Sequence, residues 1–398
     1  VKNLLLIIFS IFCFVAVAGA EDTKQLLGKV DRLIKEKKFN AAFSILEKAD
    51  RDCNDPEITL KKVDIALDFF VMSFHYQMFA FKDLETNENI EDVRGKEGKY
   101  QMYLLNVEEV LGKLMKRYPD NWKLRRMLGE YYFEVFSKYG DNWDKPKDEI
   151  MKLGKKHLLD ARKHNVADSK SLFKLGTFYL EEKQYDEAIS YLSESVKLNK
   201  TYPTSNYNLA YAYLYKDKRK EAIKYAQEAL ALYTEKALKG DAARLIAVTY
   251  GELRDDANSL KYFKIADEIQ PRNYYTVKPL LSLHLKSKNM IAANEAAETL
   301  FSLDPKNPTV SNDVLEAYLS VGYNKELHDF FTRMEKRYQD NDEETGNVLF
   351  HKAKLYLIEN HKKEAKQVII EARRRFSKCL KSDHDVFKAI DQMLKNAE

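Results

Sequence analysis

Leu175-Gly176-x2-Tyr179, followed by Ala188, returns 34 residues later as Leu209-Ala210-x2-Tyr213, followed by Ala222. Pro271 and Pro305 keep the same 34-residue separation. A fixed period in this range is produced by stacked helix pairs, in which each unit buries its apolar face only against its neighbours. The spacing therefore predicts an all-α solenoid of about nine helix pairs.

Working outward, further units are expected at 240–273 (Ile246, Ala247, Tyr250, Phe263, Ala266), 274–307 (Leu280, Ala293, with His284 at the tyrosine position), 308–345 and 346–380. Residues 381–398 form one more amphipathic helix, suited to cap the open end. Upstream, 122–168 carries Leu128-Gly129-x2-Tyr132 and Ala161, and 23–56 carries Phe39, Ala42, Leu46 and Ala49. Between them, 57–121 reads as a pair with a long first helix around 63–82, an inserted loop at 85–98 and a second helix over 99–117. The organisation expected is thus an irregular helical part at 21–121, a regular array at 122–380 and the cap.

These segments resemble tetratricopeptide repeats, strongly over 169–273 and more loosely before 122 and after 308. The resemblance implies a right-handed solenoid of helix-turn-helix units whose first helices line a concave groove, a non-catalytic protein-binding role, and no cofactor. The residues fit that logic. Small side chains let two helix axes approach, and Leu and Tyr fill the layer between them.

Composition agrees with long helices. The chain has 398 residues, only 13 Gly and 8 Pro, and a formal charge of +4 from 66 Lys+Arg and 62 Asp+Glu. A repeat array grows by stacking, so all 398 residues can belong to one body. So small a net charge offers no electrostatic case for nucleic acid. Arg373-Arg374-Arg375 reads as a solvated helix face.

The N-terminal residues read as a secretory signal: Lys2, an apolar core from Leu4 to Val17, Ala18-Gly19-Ala20 as the cleavage site, and Glu21-Asp22 beyond. The expectation is a signal peptide over 1–20 and an exported, periplasmic or envelope-associated protein. Membrane association would then arise only through an uncleaved signal. Cys53 and Cys379 lie near opposite ends of the array, which argues against a disulfide between them.

Tyr207, Tyr211 and Tyr215 share one helix face at i, i+4, i+8. By the register of the resemblance they point into the groove, together with Lys170, Phe173 and Thr177 of the preceding unit, Asn208, Arg244 and Lys278. Two readings stand: aromatic and cationic anchors for a bound segment, with the cations favouring an acidic one, or packing on neighbouring first helices. A tetratricopeptide clamp for an acidic C-terminus needs Lys and Asn, then Asn, then Lys and Arg. Asn208 fits its middle element, but Phe173, Thr177, Asp241 and Leu245 replace the rest.

From Phe69 to Phe81 there is no fully charged residue, and six aromatics accompany Met72 and Met78. A helix apolar all round must be buried on several sides. Helix 99–117 and neighbouring repeats would cover it, or it would enclose a small lipophilic ligand through Phe70, Phe74 and Met78. The insertion 85–98 reads as a mobile, solvated connection. Trp143 is expected to pin the loop 137–150, whose acids lack the spacing of a calcium site. His157, Asp160 and His164 are expected on a solvated helix, too far apart for one ion. No metal-ligand, phosphate-loop or nucleophile motif occurs, so no catalytic or metal residue is expected.

Overall fold

In the computed structural model, which describes residues 22–398, helices follow one another in the expected order. The signal-peptide reading of 1–20 lies outside these residues. The described residues form two compact units that meet at Ala212 and Tyr213. The array is therefore divided, where stacking alone would allow one body.

The first unit opens with α1 (22–35), α2 (Phe39–Ala49) and α3 (Pro56–Asp68). Three short strands follow, β1 (Met72–Phe74), β2 (Met78–Ala80) and β3 (Met102–Leu104), with a single-turn helix, α4 (Ile90–Val93), between the last two. Then come α5 (Val107–Arg117), α6 (Trp122–Lys138), α7 (Lys147–Lys163), α8 (Ser169–Glu181) and α9 (Tyr185–Leu198). The last turn of α10 (Pro203–Tyr215) belongs to the second unit. That unit continues with α11 (Arg219–Leu232), α12 (Lys236–Glu252), α13 (Asp256–Ile269), α14 (Tyr274–Lys286), α15 (Met290–Phe301), α16 (Pro308–Leu319), α17 (Asn324–Arg337), α18 (Asp342–Ile358), α19 (Lys362–Phe376) and α20 (Asp385–Asn396).

Small residues explain the close helix contacts. A Cβ at Gly176 would sit 2.6 Å from Leu192 Cγ, and one at Gly129 would sit 2.7 Å from Leu158 Cγ. Each glycine thus admits a leucine of the facing second helix. The tyrosines of the pattern do not go fully inside. Tyr179, Tyr213 and Tyr250 are half-buried and stack on Tyr191, Tyr225 and Tyr262 of their own second helices, with ring centroids 5.3, 5.6 and 5.7 Å apart.

The turns inside the pairs share one device. Lys183, Asp217, Arg254, Lys288, Gly322 and Asn360 all adopt the left-handed conformation. The next N–H in each case donates to the carbonyl of Tyr179, Tyr213, Tyr250, His284, Tyr318 or Tyr356, at 2.8–3.2 Å. This bond satisfies a helix-end carbonyl that would otherwise be orphaned. It offsets part of the roughly 1–2 kcal/mol that a non-glycine residue spends in this conformation.

At the far end of the second unit, Phe387, Ile390 and Met393 of α20 pack on Ala353, Ala365, Ile369 and Phe376. The last helix pair is therefore covered, as the amphipathic pattern of 381–398 requires.

Residues 57–121 depart from expectation. The helix around 63–82 stops at Asp68, and the helix over 99–117 starts only at Val107. In their place β1, β2 and β3 form an antiparallel sheet in that order. Phe74 O accepts from Gln77 N at 3.0 Å, across His75 and Tyr76, both at φ 45°. Positive φ at both central residues is the tight turn that matches strand twist. An uncharged run has no polar stripe to offer a helix. A sheet buries alternate residues instead, and Phe79 and Tyr103 are the ones turned inward.

Candidate functional site

In the first unit the first helices lie side by side, α3 against α6 and α6 against α8. Their shared face is built from charged residues at helical spacing. Lys170 and Lys174 come from α8, Arg126, Glu130 and Glu134 from α6, and Asp64 and Asp68 from α3. Asp168 caps α8 by accepting from Ser171 N at 2.8 Å, while Ser171 Oγ accepts from Asp168 N at 2.8 Å.

Ion pairs tie the helices together. Lys174 Nζ donates to Glu134 Oε1 at 2.9 Å and lies 3.8 Å from Glu130 Oε2. Lys170 reaches past α6 to hydrogen-bond Asp68, the last residue of α3. Arg126 pairs with Asp168, and its Nε lies 3.4 Å from Glu130 Oε1. Five carboxylates thus face these three cations and Lys61, whose Nζ lies 3.8 Å from Asp64 Oδ2. Burial pushes the Glu130 carboxyl up to about 6, against the pull of Lys174. Burial, and then Asp68, also raise Asp64. Lys174 is raised as well: burial opposes its charge, but Glu134 and Glu130 outweigh it. The face carries more negative charge than its own cations neutralise.

An aromatic edge borders this face. Phe173 meets Phe133 and Tyr202 edge-on, with centroids 6.0 and 5.2 Å apart. Thr177 Oγ1 donates to Phe173 O at 2.9 Å and accepts from Asn208 Nδ2 at 2.9 Å. The structure therefore brings Lys170, Phe173, Thr177 and Asn208 together. Tyr207 is half-buried and Tyr211 exposed on α10, and Tyr215, in the second unit, is exposed.

In the second unit Arg244 pairs with Asp241 and donates to Gln270 Oε1 at 3.1 Å and Thr276 Oγ1 at 3.3 Å. Lys278 Nζ donates to Asp313 Oδ1 at 2.7 Å, and Tyr274 OH hydrogen-bonds the same carboxylate. Each cation expected to favour an acidic segment, Lys170 included, already has a carboxylate of its own chain. The acidic preference loses its electrostatic basis, since a neutralised cation attracts a second anion weakly.

The lipophilic-site residues separate. Phe70 is 8% exposed, packs on Tyr76 and Phe79, and carries the Arg94 guanidinium 4.5 Å above its ring. Phe74 is 62% exposed and pairs with Met78 on the outer side of the sheet. An enclosed pocket shared by Phe70, Phe74 and Met78 is therefore not formed, because Phe70 lies before β1 and packs inward, while Phe74 and Met78 share the outer face of the sheet.

The insertion 85–98 is tied down at several points. Lys37 Nζ donates to Glu88 O at 2.7 Å, Lys82 pairs with Glu88 at 2.6 Å, and Arg94 donates to Asp68 O and Phe70 O at 2.9 and 3.0 Å. Trp143 packs on Tyr139 and His75, at 4.9 and 5.8 Å between centroids. His157 is buried against Tyr132, not solvated, and burial lowers it to about 4. His164 lies flat on Trp122, 3.4 Å away. Among the described residues no group of three or more His, Cys, Asp or Glu is placed to hold a metal ion, and no helix is long and apolar enough to cross a membrane.

The charged face was missed in sequence. Its signal was the acids Asp64, Asp68, Glu130 and Glu134 at i, i+4 spacing on two helices, with Lys170 and Lys174 on a third.

A tetratricopeptide-repeat family model matches residues 169–202 and 203–235. No curated protein matches the chain. Solved structures similar to it include a tetratricopeptide repeat protein from Parabacteroides merdae, at 16% identity over 68% of this chain and 98% of that one, with a TM-score of 0.41. Another is pilF of Pseudomonas aeruginosa, at 10% identity over 54% and 94%, with a TM-score of 0.42. A third is YrrB, described as a TPR protein with an unusual peptide-binding site, at 15% identity over 46% and 93%, with a TM-score of 0.38.

Proposed function

From the match of a tetratricopeptide-repeat model to residues 169–202 and 203–235, we propose that this chain is a non-catalytic scaffold outside the cytoplasm that holds a protein or peptide segment. The segment lies along the first helices α3, α6 and α8 and continues past Tyr207 and Tyr211 of α10. The observation that carries this reading is the excess of carboxylates on that face, five against four cations with Lys61 included, beside the aromatic edge of Phe173 and Tyr202. Such a face suits a segment bearing Lys or Arg, whose charge the surplus carboxylates stabilise. Export is supported by Lys2, the apolar Leu4–Val17 stretch and Ala18-Gly19-Ala20.

The test begins with capture of partners from an envelope fraction and titration of the recovered segment against the full chain. Tyr207→Ala with Tyr211→Ala, and separately Asp64→Asn with Asp68→Asn, should each weaken it by roughly tenfold or more, as loss of an interface anchor does. Undiminished binding by both folded variants rejects this face. Intact mass of the exported protein tests the localisation: the reading requires a mature chain beginning near Glu21.

A further inference from the structure

The outer face of the three-stranded sheet is apolar where water should be. Its register sets Met72, Ala80 and Met102 in one cross-strand row and Phe74, Met78 and Leu104 in another. The row between them, Ser73, Phe79 and Tyr103, turns the other way, with Tyr103 against Phe43 and Phe79 against Phe70. An antiparallel sheet with one face on the core normally shows polar side chains on the other. Here both outer rows are Met, Phe, Leu and Ala, with Ala80 itself covered and the larger side chains left in water. Phe74 is 62% exposed and Leu104 72%, and Met72 and Met102 are exposed beside them.

The charge around this face is net negative. Residues 72–109 carry eight acids against four bases, and residues 139–149 carry four against two. The second segment abuts the hairpin tip. Phe74 meets His75 at 4.4 Å, and His75 meets Tyr139 and Trp143 at 6.0 and 5.8 Å. Asp141 and Asp144, flanking that tryptophan, are exposed. Glu108, just beyond β3, is joined to the same loop through Lys145 at 3.0 Å.

We propose that this sheet face is a docking surface for an amphipathic, basic segment of a partner protein, whose apolar side chains cover Phe74, Leu104 and the methionines while its Lys or Arg residues meet the acidic rim. Contiguous apolar patches of this kind mark interaction sites, and Met and Phe adapt to varied apolar partners. The rim selects among occupants. A second copy docked face to face would press two acidic rims together. An anionic lipid surface would be repelled in the same way. The surface is separate from the first-helix face and does not depend on it.

The test uses the full chain and a short fluorescent helical peptide with one leucine face and one lysine face. Binding should weaken about tenfold or more in Phe74→Ser with Leu104→Ser, as removal of central anchors does. It should also weaken in Asp141→Asn with Asp144→Asn, and stay unchanged in Ile291→Ser, an exposed apolar position of the second unit. Tyr207→Ala with Tyr211→Ala should leave it intact, which separates this surface from the first-helix face. Should the serine pair lower the melting temperature, Leu104→Lys at the most exposed position of the sheet gives the same readout. The proposal is overturned if the serine pair binds normally, or if a peptide with glutamate in place of lysine binds as tightly. It is equally overturned if Phe74→Ser with Leu104→Ser abolishes self-association in sedimentation or binding to phosphatidylglycerol vesicles, since the face would then serve a second copy or a membrane.

Discussion

Lys174 on α8 and Glu134 on α6 meet at 2.9 Å, and the lysine is only 4% exposed. Removing the cation leaves Glu134 without its partner and the buried Glu130 with Arg126 alone. Loss of one partner from a buried pair typically costs about 3–5 kcal/mol. Lys174→Met should therefore lower urea-denaturation stability by about 3 kcal/mol, and adding Glu134→Gln should restore part of it. A loss below about 1 kcal/mol would mean that water screens the pair.

Glu130 gives the first unit a pH dependence of opposite sign to an ordinary paired carboxylate. Its folded value is about 6 against an unperturbed 4.5. Between these values the folded state binds more protons than the unfolded one, so stability falls as pH rises from 4.5 to 6. The full cost above pH 6 is about 2 kcal/mol. Glu130→Gln should raise stability at pH 7 by about 1–2 kcal/mol and remove that slope. A less stable variant at pH 7 would show that the charge is held favourably.

His157 acts in the other direction. Burial lowers it to about 4 from 6.5. Its contribution is complete above pH 6.5 and is lost as pH falls toward 4, because the unfolded state takes up the proton first. The loss amounts to about 3 kcal/mol. His157→Gln cannot be protonated, so melting temperatures between pH 4 and 7 should vary less in this variant than in the parent.

Gly176 is required by Leu192, whose Cγ would lie 2.6 Å from an added Cβ. Gly176→Ala should destabilise by about 1–3 kcal/mol, as overpacking does, although alanine is the better helix former. Leu192→Ala in the same chain should relieve the clash, making the pair less destabilised than the sum of the single changes. Strict additivity would place the two residues out of contact.

Ile390 of α20 is fully buried against the last helix pair. Ile390→Ala should cost about 2–4 kcal/mol through the lost methyl groups and the cavity left behind. Hydrogen exchange should rise first in α18 and α19, which α20 covers. Unchanged exchange there would mean that α20 caps nothing.

The repeat period was legible because it records contacts made within a few dozen residues. Leu175, Gly176 and Ala188 meet a neighbour at nearly the same chain distance in every unit, so selection for packing leaves a periodic trace. Helix order, the small-residue contacts and the amphipathic cap all follow from that trace. Other features leave no period. The left-handed turns carry Lys183, Asp217, Arg254, Lys288, Gly322 and Asn360, so a glycine announces just one of the six. An uncharged run such as Phe69–Phe81 is equally compatible with a buried helix and with strands. Only the side chains that cover it, Phe43 and Tyr103 among them, decide between the two. Lys170 finds Asp68 across 102 residues. A pairing at that separation depends on how the first helices curve past one another. Sequence alone therefore determined what repeats locally, while tertiary structure decided which charges are neutralised and which apolar face is left in water, because both depend on contacts between segments far apart in the chain.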